Sequence, residues 1–321
     1  MNAARRLHGS ENLALGCLKI VLDKGEREDW FESTFIVTLA AVSAVSFVLF
    51  FAWELARPDP IVDVRLLFQR QFGMAFLVMM SVGAILFSTT QLLPQLLQTS
   101  FQYTAMLSGL ALMPGGLAML LMMPIAGQLA SRFPPKHMMV VGMVLIALAM
   151  WHMTSLFPDA SFAFFAWARI YQMIGLPLLF IPITTASYAG LPQDKTNQAS
   201  ALINVARNLG GSFGVSLCNT LLAQRAQFHQ ARLVEHTSSS SLAFQGTLRK
   251  ATDYFVSQGA SALDAQRQAM AWIGQLVASQ ATLLAYIDVF CGSAIFALAM
   301  IPLALLMRRI NSGAQPQGAT Q

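Results

Sequence analysis

The stretch TAMLSGLALMPGGLAMLLMMPIAGQLA, residues 104–130, contains no charged side chain. A bilayer core about 30 Å thick is crossed by roughly 20 apolar residues of helix, and this stretch is long enough to do so. The residues that follow it, SRFPPKH at 131–137, bring Arg132, Lys136 and two prolines before another apolar run begins. The sequence here therefore predicts a membrane-spanning helix, a short basic loop and the start of a further span.

The composition of the whole chain agrees with a membrane protein. Of its 321 residues, 55% are hydrophobic and 11% are charged, whereas about 25% of the residues in soluble domains are charged. The formal net charge is +5, but no basic stripe or aromatic-basic module accompanies it, which argues against a nucleic-acid partner. The composition thus favours the lipid bilayer as the partner of most of the surface.

Seven segments of the chain are long and apolar enough to cross a bilayer. They lie at about residues 34–53, 72–98, 104–130, 138–156, 162–190, 198–223 and 281–307. Backbone amides in lipid must be hydrogen-bonded within the segment, and unbroken apolar runs do not fit the alternating pattern of a barrel strand. The predicted fold is an all-α integral membrane protein with seven transmembrane helices.

Basic residues occur in alternate loops between these spans. They are Arg57, Arg65, Arg70, Arg132, Lys136, Lys195, Arg308 and Arg309. Because short loops rich in Lys and Arg stay in the cytoplasm, these loops and the C-terminus are predicted to be cytoplasmic. The long segment 224–280 is then external, and two amphipathic helices are expected in it, on either side of TSSSS.

Three further stretches carry a resemblance to a known family. IVLDKGEREDWFES at 20–33, ARPDPIVDVRLLFQRQF at 56–72 and the run from LLPQLL to ASRF at 92–133 occur in this order with matching loop lengths. Together they strongly resemble the fourteen-span drug:proton antiporters of the major facilitator superfamily, and the EmrB type most closely. The resemblance extends from about residue 15 to residue 307.

The resemblance implies that the chain is the C-terminal portion of such a transporter, without the N-terminal six-helix bundle. Residues 1–33 would be a truncated helix remnant and an external turn. Residues 34–71 would be an extra linker helix with a cytoplasmic loop. The last six helices, in residues 72–310, would form the C-terminal bundle together with the external segment, and residues 311–321 a disordered cytoplasmic tail.

The activity implied by the resemblance is proton-driven multidrug efflux, in which two halves rock about a site near the bilayer midplane. The implied setting is the bacterial inner membrane, with hydrophobic drug-like substrates and no cofactor. A separately encoded N-terminal half and a periplasmic adaptor with an outer-membrane channel are the implied partners, and one half alone is expected to be inactive. An inert remnant, an interaction subunit of a split transporter, and a membrane enzyme or channel remain as alternatives.

Polar residues inside the predicted spans are the candidates for a substrate and proton pathway, because such residues are costly in lipid. The candidates are Gln91, Gln95, Arg169, Gln172, Asn204, Arg207, Asn208 and Asp288. The amides are also compatible with interhelical hydrogen bonds that only hold the bundle together. For the charged residues a cavity-facing role is favoured, and Asp288 is expected to pair with Arg169 or Arg207.

The basic loop after residue 130 resembles, loosely, an inner-loop signature of the family. The matching positions are Gly127, Leu129, Ala130, Arg132 and Lys136. Ser131 stands where the family has an Asp that latches the inner gate at a helix end. Anchoring by positive charge alone also explains the Arg and the Lys, so both interpretations stay open.

Glycines and prolines within two spans allow close helix approach or a bend. They are Pro114, Gly115, Gly116 and Pro124 in the third span, and Gly210, Gly211 and Gly214 in the sixth. Packing is the favoured interpretation, and a gating hinge is the alternative. The five histidines do not form a ligand set, and no nucleophile turn is present, so the sequence predicts neither a metal site nor an enzyme.

Overall fold

The computed structural model describes residues 16–18, 20–22, 25, 33–56, 64–188, 191, 195–235 and 242–306. Within these ranges the chain forms helices and short connections, without a β-strand, so the all-helical fold class is confirmed for this part. The predicted tail 311–321 and most of the predicted remnant 1–33 lie outside the described residues. So do the basic residues Arg57, Arg308 and Arg309.

The helices are named α1 to α10 in chain order. They are α1 (Thr34–Ala56), α2 (Arg70–Thr99), α3 (Ala105–Arg132), α4 (Pro135–Thr154), α5 (Phe162–Gly175), α6 (Pro177–Tyr188), α7 (Thr196–Glu235), α8 (Leu242–Ser257), α9 (Ala262–Ala299) and α10 (Ile301–Leu305). A 3₁₀ turn at Val64–Phe68 precedes α2.

Local sequence explains where several of these helices begin. The Thr104 hydroxyl accepts a hydrogen bond from the Leu107 amide at 3.2 Å and caps α3. Pro135 is the first residue of α4, where its missing amide hydrogen costs nothing. Pro177 has no amide hydrogen to continue α5, and the single span predicted at 162–190 is therefore built from α5 and α6 in succession.

Five helical stretches of the described chain are long and apolar enough to cross a membrane. They are Arg70–Thr99, Ala105–Arg132, Pro135–Thr154, Phe162–Tyr188 and Ala262–Leu305. In α1 the apolar part, Thr34–Leu49, is shorter. The long helix α7 is not among the five, and it carries the polar residues of the sixth predicted span. The count of seven spans therefore stays a prediction.

Of the hydrophobic clusters in the described interior, the two largest lie one beside each half of α2. The first includes Phe72, Met79, Met143, Ile183 and Leu202. The second includes Leu92, Leu96, Met150, Phe165, Tyr286 and Phe290. Both α2 and α4 contribute to the two clusters, so α2 packs into the interior along most of its length.

The helices α2 and α7 lie in close contact because α7 has glycines where the two cross. A Cβ on Gly214 would lie 2.6 Å from the Ala84 Cα, and a Cβ on Gly210 would meet the Met80 backbone. Gly211 also faces a side chain of α2. The contact at Gly210 is with Met80 and the contact at Gly214, one turn later, is with Ala84, also one turn later, so α2 and α7 run in the same direction. This geometry agrees with the packing interpretation of these glycines.

The segment 224–280 differs in construction from the two separate amphipathic helices that were expected. Its first part continues α7 without a break as far as Glu235, and its last part is the beginning of α9. Between them lies α8, which packs on α9. No proline or glycine interrupts residues 215–235, so the helical hydrogen bonds continue beyond the apolar part of α7.

Candidate functional site

One face of α2 is polar and uncovered, although the helix is apolar enough to span a membrane. Thr90, Gln91, Gln95 and Gln98 are exposed, and their spacing places them on one side of the helix. Phe87, one turn before Thr90, is 40% exposed on the same side. Amide side chains are costly against lipid tails, so this polar face is suited to water or to another protein surface.

Arg169 on α5 lies directly behind this polar face. Its side chain is buried, with 7% of the residue exposed. Nη1 donates to the Gln172 Oε1 at 2.8 Å, and Nη2 donates to the Thr90 Oγ1 at 2.8 Å. Gln172 in turn donates from Nε2 to the Thr89 Oγ1 at 2.6 Å. These four residues, here called the Arg169 network, join α5 to α2.

Gly115 on α3 leaves the space that Arg169 occupies. A Cβ at this position would lie 2.5 Å from the Arg169 Cγ and 3.0 Å from its carbonyl oxygen. The neighbouring Gly116 has no atom within 4 Å of an added Cβ. Pro114 and Pro124 lie inside α3. Gly115 therefore has a packing role beside the network. The sequence pattern alone does not distinguish Gly115 from Gly116.

Arg207, Asn204 and Asn208 lie on α7 and are not joined to the Arg169 network by any hydrogen bond within the described residues. The Arg207 guanidinium carbon lies 5.8 Å from the centre of the Phe180 ring, in a cation–π arrangement. Its Nε is buried and has no hydrogen-bond partner in the described part. The two asparagines are exposed, and Asn204 donates to the Ser200 carbonyl at 3.1 Å.

Asp288 on α9 forms an ion pair with α7, but the expected pairing with Arg169 or Arg207 is wrong. Its Oδ2 lies 2.9 Å from the Arg225 Nε and 2.7 Å from the His229 Nε2. The sequence predicts that the sixth span ends at residue 223, whereas α7 continues and places Arg225 and His229 one turn apart on one face. Their i, i+4 spacing was the signal that could have found them.

An aromatic ring belongs to the same cluster. Phe228 lies between two arginines of α7, with its ring centre 5.4 Å from the Arg225 guanidinium carbon and 4.8 Å from that of Arg232. The side chains of Arg225 and Asp288 are 47% and 28% exposed. The cluster is therefore partly solvated, in contrast to the buried Arg169 network.

The residues of the inner-loop signature lie at the junction of α3 and α4. Arg132 is the last residue of α3 and Lys136 the second of α4. Ser131 donates its hydroxyl to the Gln128 carbonyl at 2.7 Å, inside its own helix. Gly127 has open space around it. The described residues contain no group of three or more His, Cys, Asp or Glu side chains that could hold a metal ion.

Comparison with known protein families gives one match that covers more than half of the chain. The pattern of the Major Facilitator Superfamily matches residues 25–215. Among solved structures, a bacterial homolog of the human lysosomal transporter Spinster, in an inward-facing and occupied conformation, superposes with a TM-score of 0.46. Its sequence identity is 15%, and the alignment covers 85% of this chain and 56% of that one.

Several curated proteins are similar over most of the chain. The multidrug export protein EmrB of Escherichia coli strain K12 is 31% identical over 283 residues, which are 88% of this chain and 54% of that protein. EmrB of Haemophilus influenzae is 30% identical, covering 90% and 55%. The fatty acid resistance protein FarB of Neisseria gonorrhoeae is 27% identical, covering 92% and 57%. The chain thus spans about half the length of these relatives.

Proposed function

Because this chain belongs to the major facilitator superfamily, we propose that it is the C-terminal half of a multidrug efflux transporter that exchanges drugs for protons by alternating access. Membership of this family points to a transporter rather than an enzyme, and to a multi-pass membrane location. The bacterial inner membrane, with the C-terminus in the cytoplasm, is the location that we propose from the distribution of basic loops.

The observation that carries this proposal is the polar face of α2 with the Arg169 network behind it. Three glutamines and a threonine are uncovered along a helix of high hydropathy. Such a face is stable when it borders a water-filled pathway between two halves, as in transporters with a binding site near the midplane. We assign Gln91, Gln95, Arg169 and Gln172 to the substrate side of that pathway.

We propose that Asn204, Arg207 and Asn208 continue the pathway along α7. The exposure of the two asparagines and the unsatisfied Nε of Arg207 support this assignment. For proton exchange we propose Asp288 with His229, since a carboxylate and an imidazole 2.7 Å apart are typical of proton relays in transporters. Lys136 and Arg132 are proposed as anchors of the inner loop.

The relatives are longer than the region that they share with this chain. The matched region is only 54% of Escherichia coli EmrB, so we propose that an N-terminal bundle completes the pathway and that this chain alone does not transport. The names of the relatives, multidrug export and fatty acid resistance, support hydrophobic drug-like molecules as substrates. A periplasmic adaptor with an outer-membrane channel is the proposed outer partner.

Reconstitution in proteoliposomes tests this function. The chain is inserted alone or together with the N-terminal half of Escherichia coli EmrB as a separate chain, and drug-driven proton release is followed with an internal pH dye. EmrB divided at the corresponding point is the control for assembly of halves. We expect release only when both halves are present. Proton release by the chain alone would contradict the half-transporter. No proton release either from the chain alone or from the two halves together, with an active control, would favour an inert remnant or interaction subunit.

A further inference from the structure

The charges inside the bundle do not balance. In the described parts of α2 to α7 and of α9, Asp264, Asp288 and Glu235 are the acidic residues, and Asp264 and Glu235 lie at helix ends. The Oδ2 of Asp288 is already shared by Arg225 and His229. Arg169 therefore has no carboxylate partner among the described residues, although it is more than nine-tenths buried.

The guanidinium of Arg169 is hydrogen-bonded by neutral groups. Its two terminal nitrogens each donate to an uncharged oxygen, of Gln172 and of Thr90. Gln172 is itself fixed by its bond to Thr89, and α3 closes over the side chain at Gly115. The Arg169 guanidinium is desolvated, and its neutral acceptors orient it without neutralising its charge. It is therefore well suited to bind a negatively charged group from outside the chain.

The network meets the polar face of α2 at Thr90. Thr90, whose Oγ1 accepts from Nη2 and donates to the Leu86 carbonyl at 2.7 Å, is an exposed residue of that face. An anion that takes the place of the Thr90 hydroxyl at Nη2 would therefore contact the guanidinium from this face. Guanidinium groups bind carboxylates through paired, parallel hydrogen bonds. Phe87, one turn away on the same face and 40% exposed, offers an aromatic surface for an apolar body.

We propose that the Arg169 network is an anion-recognition site and that its ligands are amphiphiles with one carboxylate and an apolar body. This assignment rests on the proposed transport function for its physiological meaning, and it narrows the substrates from hydrophobic drugs in general to hydrophobic acids. The carboxylate accepts from the Arg169 guanidinium, whose Nη2 exchanges its bond to Thr90 for the ligand, and the apolar body lies along Phe87.

Equilibrium binding tests the site without requiring transport. The purified full chain is placed in phosphatidylcholine nanodiscs, and binding of tritiated dodecanoate is measured by scintillation proximity. Dodecanol and dodecyltrimethylammonium, of equal chain length, are the competitors. We expect saturable dodecanoate binding that both competitors displace at least tenfold less well than unlabelled dodecanoate does. Equal competition by the three molecules, or no saturable binding, would overturn the proposal.

Variants locate the anion at the network. Arg169→Gln is expected to weaken dodecanoate binding at least tenfold, and Arg169→Lys to weaken it less, because the charge is kept but the paired geometry is lost. Arg249→Gln, the same change at an exposed position of α8, is the matched control and should bind as the parent does. Unchanged binding in Arg169→Gln would overturn the assignment.

A third variant covers the case in which Arg169→Gln fails to fold. Gln172→Glu places a carboxylate where Nη1 already donates at 2.8 Å, so it should raise the thermal midpoint and abolish dodecanoate binding. A raised midpoint with intact binding would contradict the proposal. The failure of the transport function is distinguishable from the failure of this site. Dodecanoate binding without proton release would contradict the transport function and support the anion site. Proton release with neutral drugs but without dodecanoate binding would support the transport function and contradict the anion site.

Discussion

Arg169 and Asp288 are both ionisable residues on apolar helices, and the structure accommodates them in different ways. Arg169 is buried and has neutral hydrogen-bond partners, whereas Asp288 is partly exposed and has two basic partners. A buried charge without a counter-charge and a shared, partly solvated carboxylate respond differently to substitution. At the scale of single residues, Asp288 is therefore the better test of stability, and Arg169 the better test of binding.

We predict that Asp288→Asn lowers the free energy of unfolding by about 1 kcal/mol, because Arg225 and His229 lose a charged acceptor that is only partly screened by water. Thermal or denaturant unfolding in detergent measures this loss. Asp159→Asn, in the exposed connection between α4 and α5, is the matched control and should be neutral. Adding Arg225→Gln to Asp288→Asn should recover part of the loss. A variant as stable as the parent would mean that the ion pair does not hold α9 against α7.

At the scale of elements, the contact between α2 and α7 determines which residues of each helix can face the proposed pathway. The contact exists because glycines of α7 let the two backbones approach. It leaves the side of α2 that carries Thr90, Gln91 and Gln95 uncovered. The glycines are thus structural in this contact, and they indirectly set the orientation of the polar face.

Gly214→Ala is predicted to destabilise the protein by about 1–3 kcal/mol, because the new methyl group would lie 2.6 Å from the Ala84 Cα and backbone must shift. Gly274→Ala on α9 is the control, since an added Cβ there meets no atom within 4 Å and alanine favours the helix. Thermal unfolding of both variants in detergent provides the comparison. Equal midpoints would indicate that the α2–α7 contact adjusts easily, as a hinge would.

At the scale of the whole molecule, the proposed orientation in the membrane rests on the basic loops. Pro135 begins α4 directly after the connection that follows Arg132, while Gln102 and Asp159 lie in connections without Lys or Arg and are exposed. Successive spans cross the membrane in opposite directions, so the second and sixth predicted spans cross in the same direction. The parallel packing of α2 and α7 agrees with this expectation. The proposed alternating access depends on this arrangement.

Single cysteines in a background without Cys17, Cys218 and Cys291 test the orientation in intact cells. We predict that cysteines at Gln102 and Asp159 react with an impermeant maleimide added outside, and that a cysteine at Pro135 reacts only after the membrane is opened. Detergent-opened cells provide the control for reactivity at all three positions. The reverse pattern of labelling would show that the orientation is inverted.

The sequence alone was sufficient for the helical class, the short basic loop after residue 130 and the family, because apolar runs, prolines and ordered motifs are local properties of the chain. It also selected Arg169 and Gln172, since polar residues on an apolar helix stand out without any coordinates. The partners were decided only by the tertiary structure. Thr89 and Thr90 complete the Arg169 network, and Arg225 and His229 bind Asp288, because the phase and crossing of packed helices bring them together. Hydropathy, which sums residues along one helix, contains no information on that phase, nor on how far α7 continues beyond its apolar part.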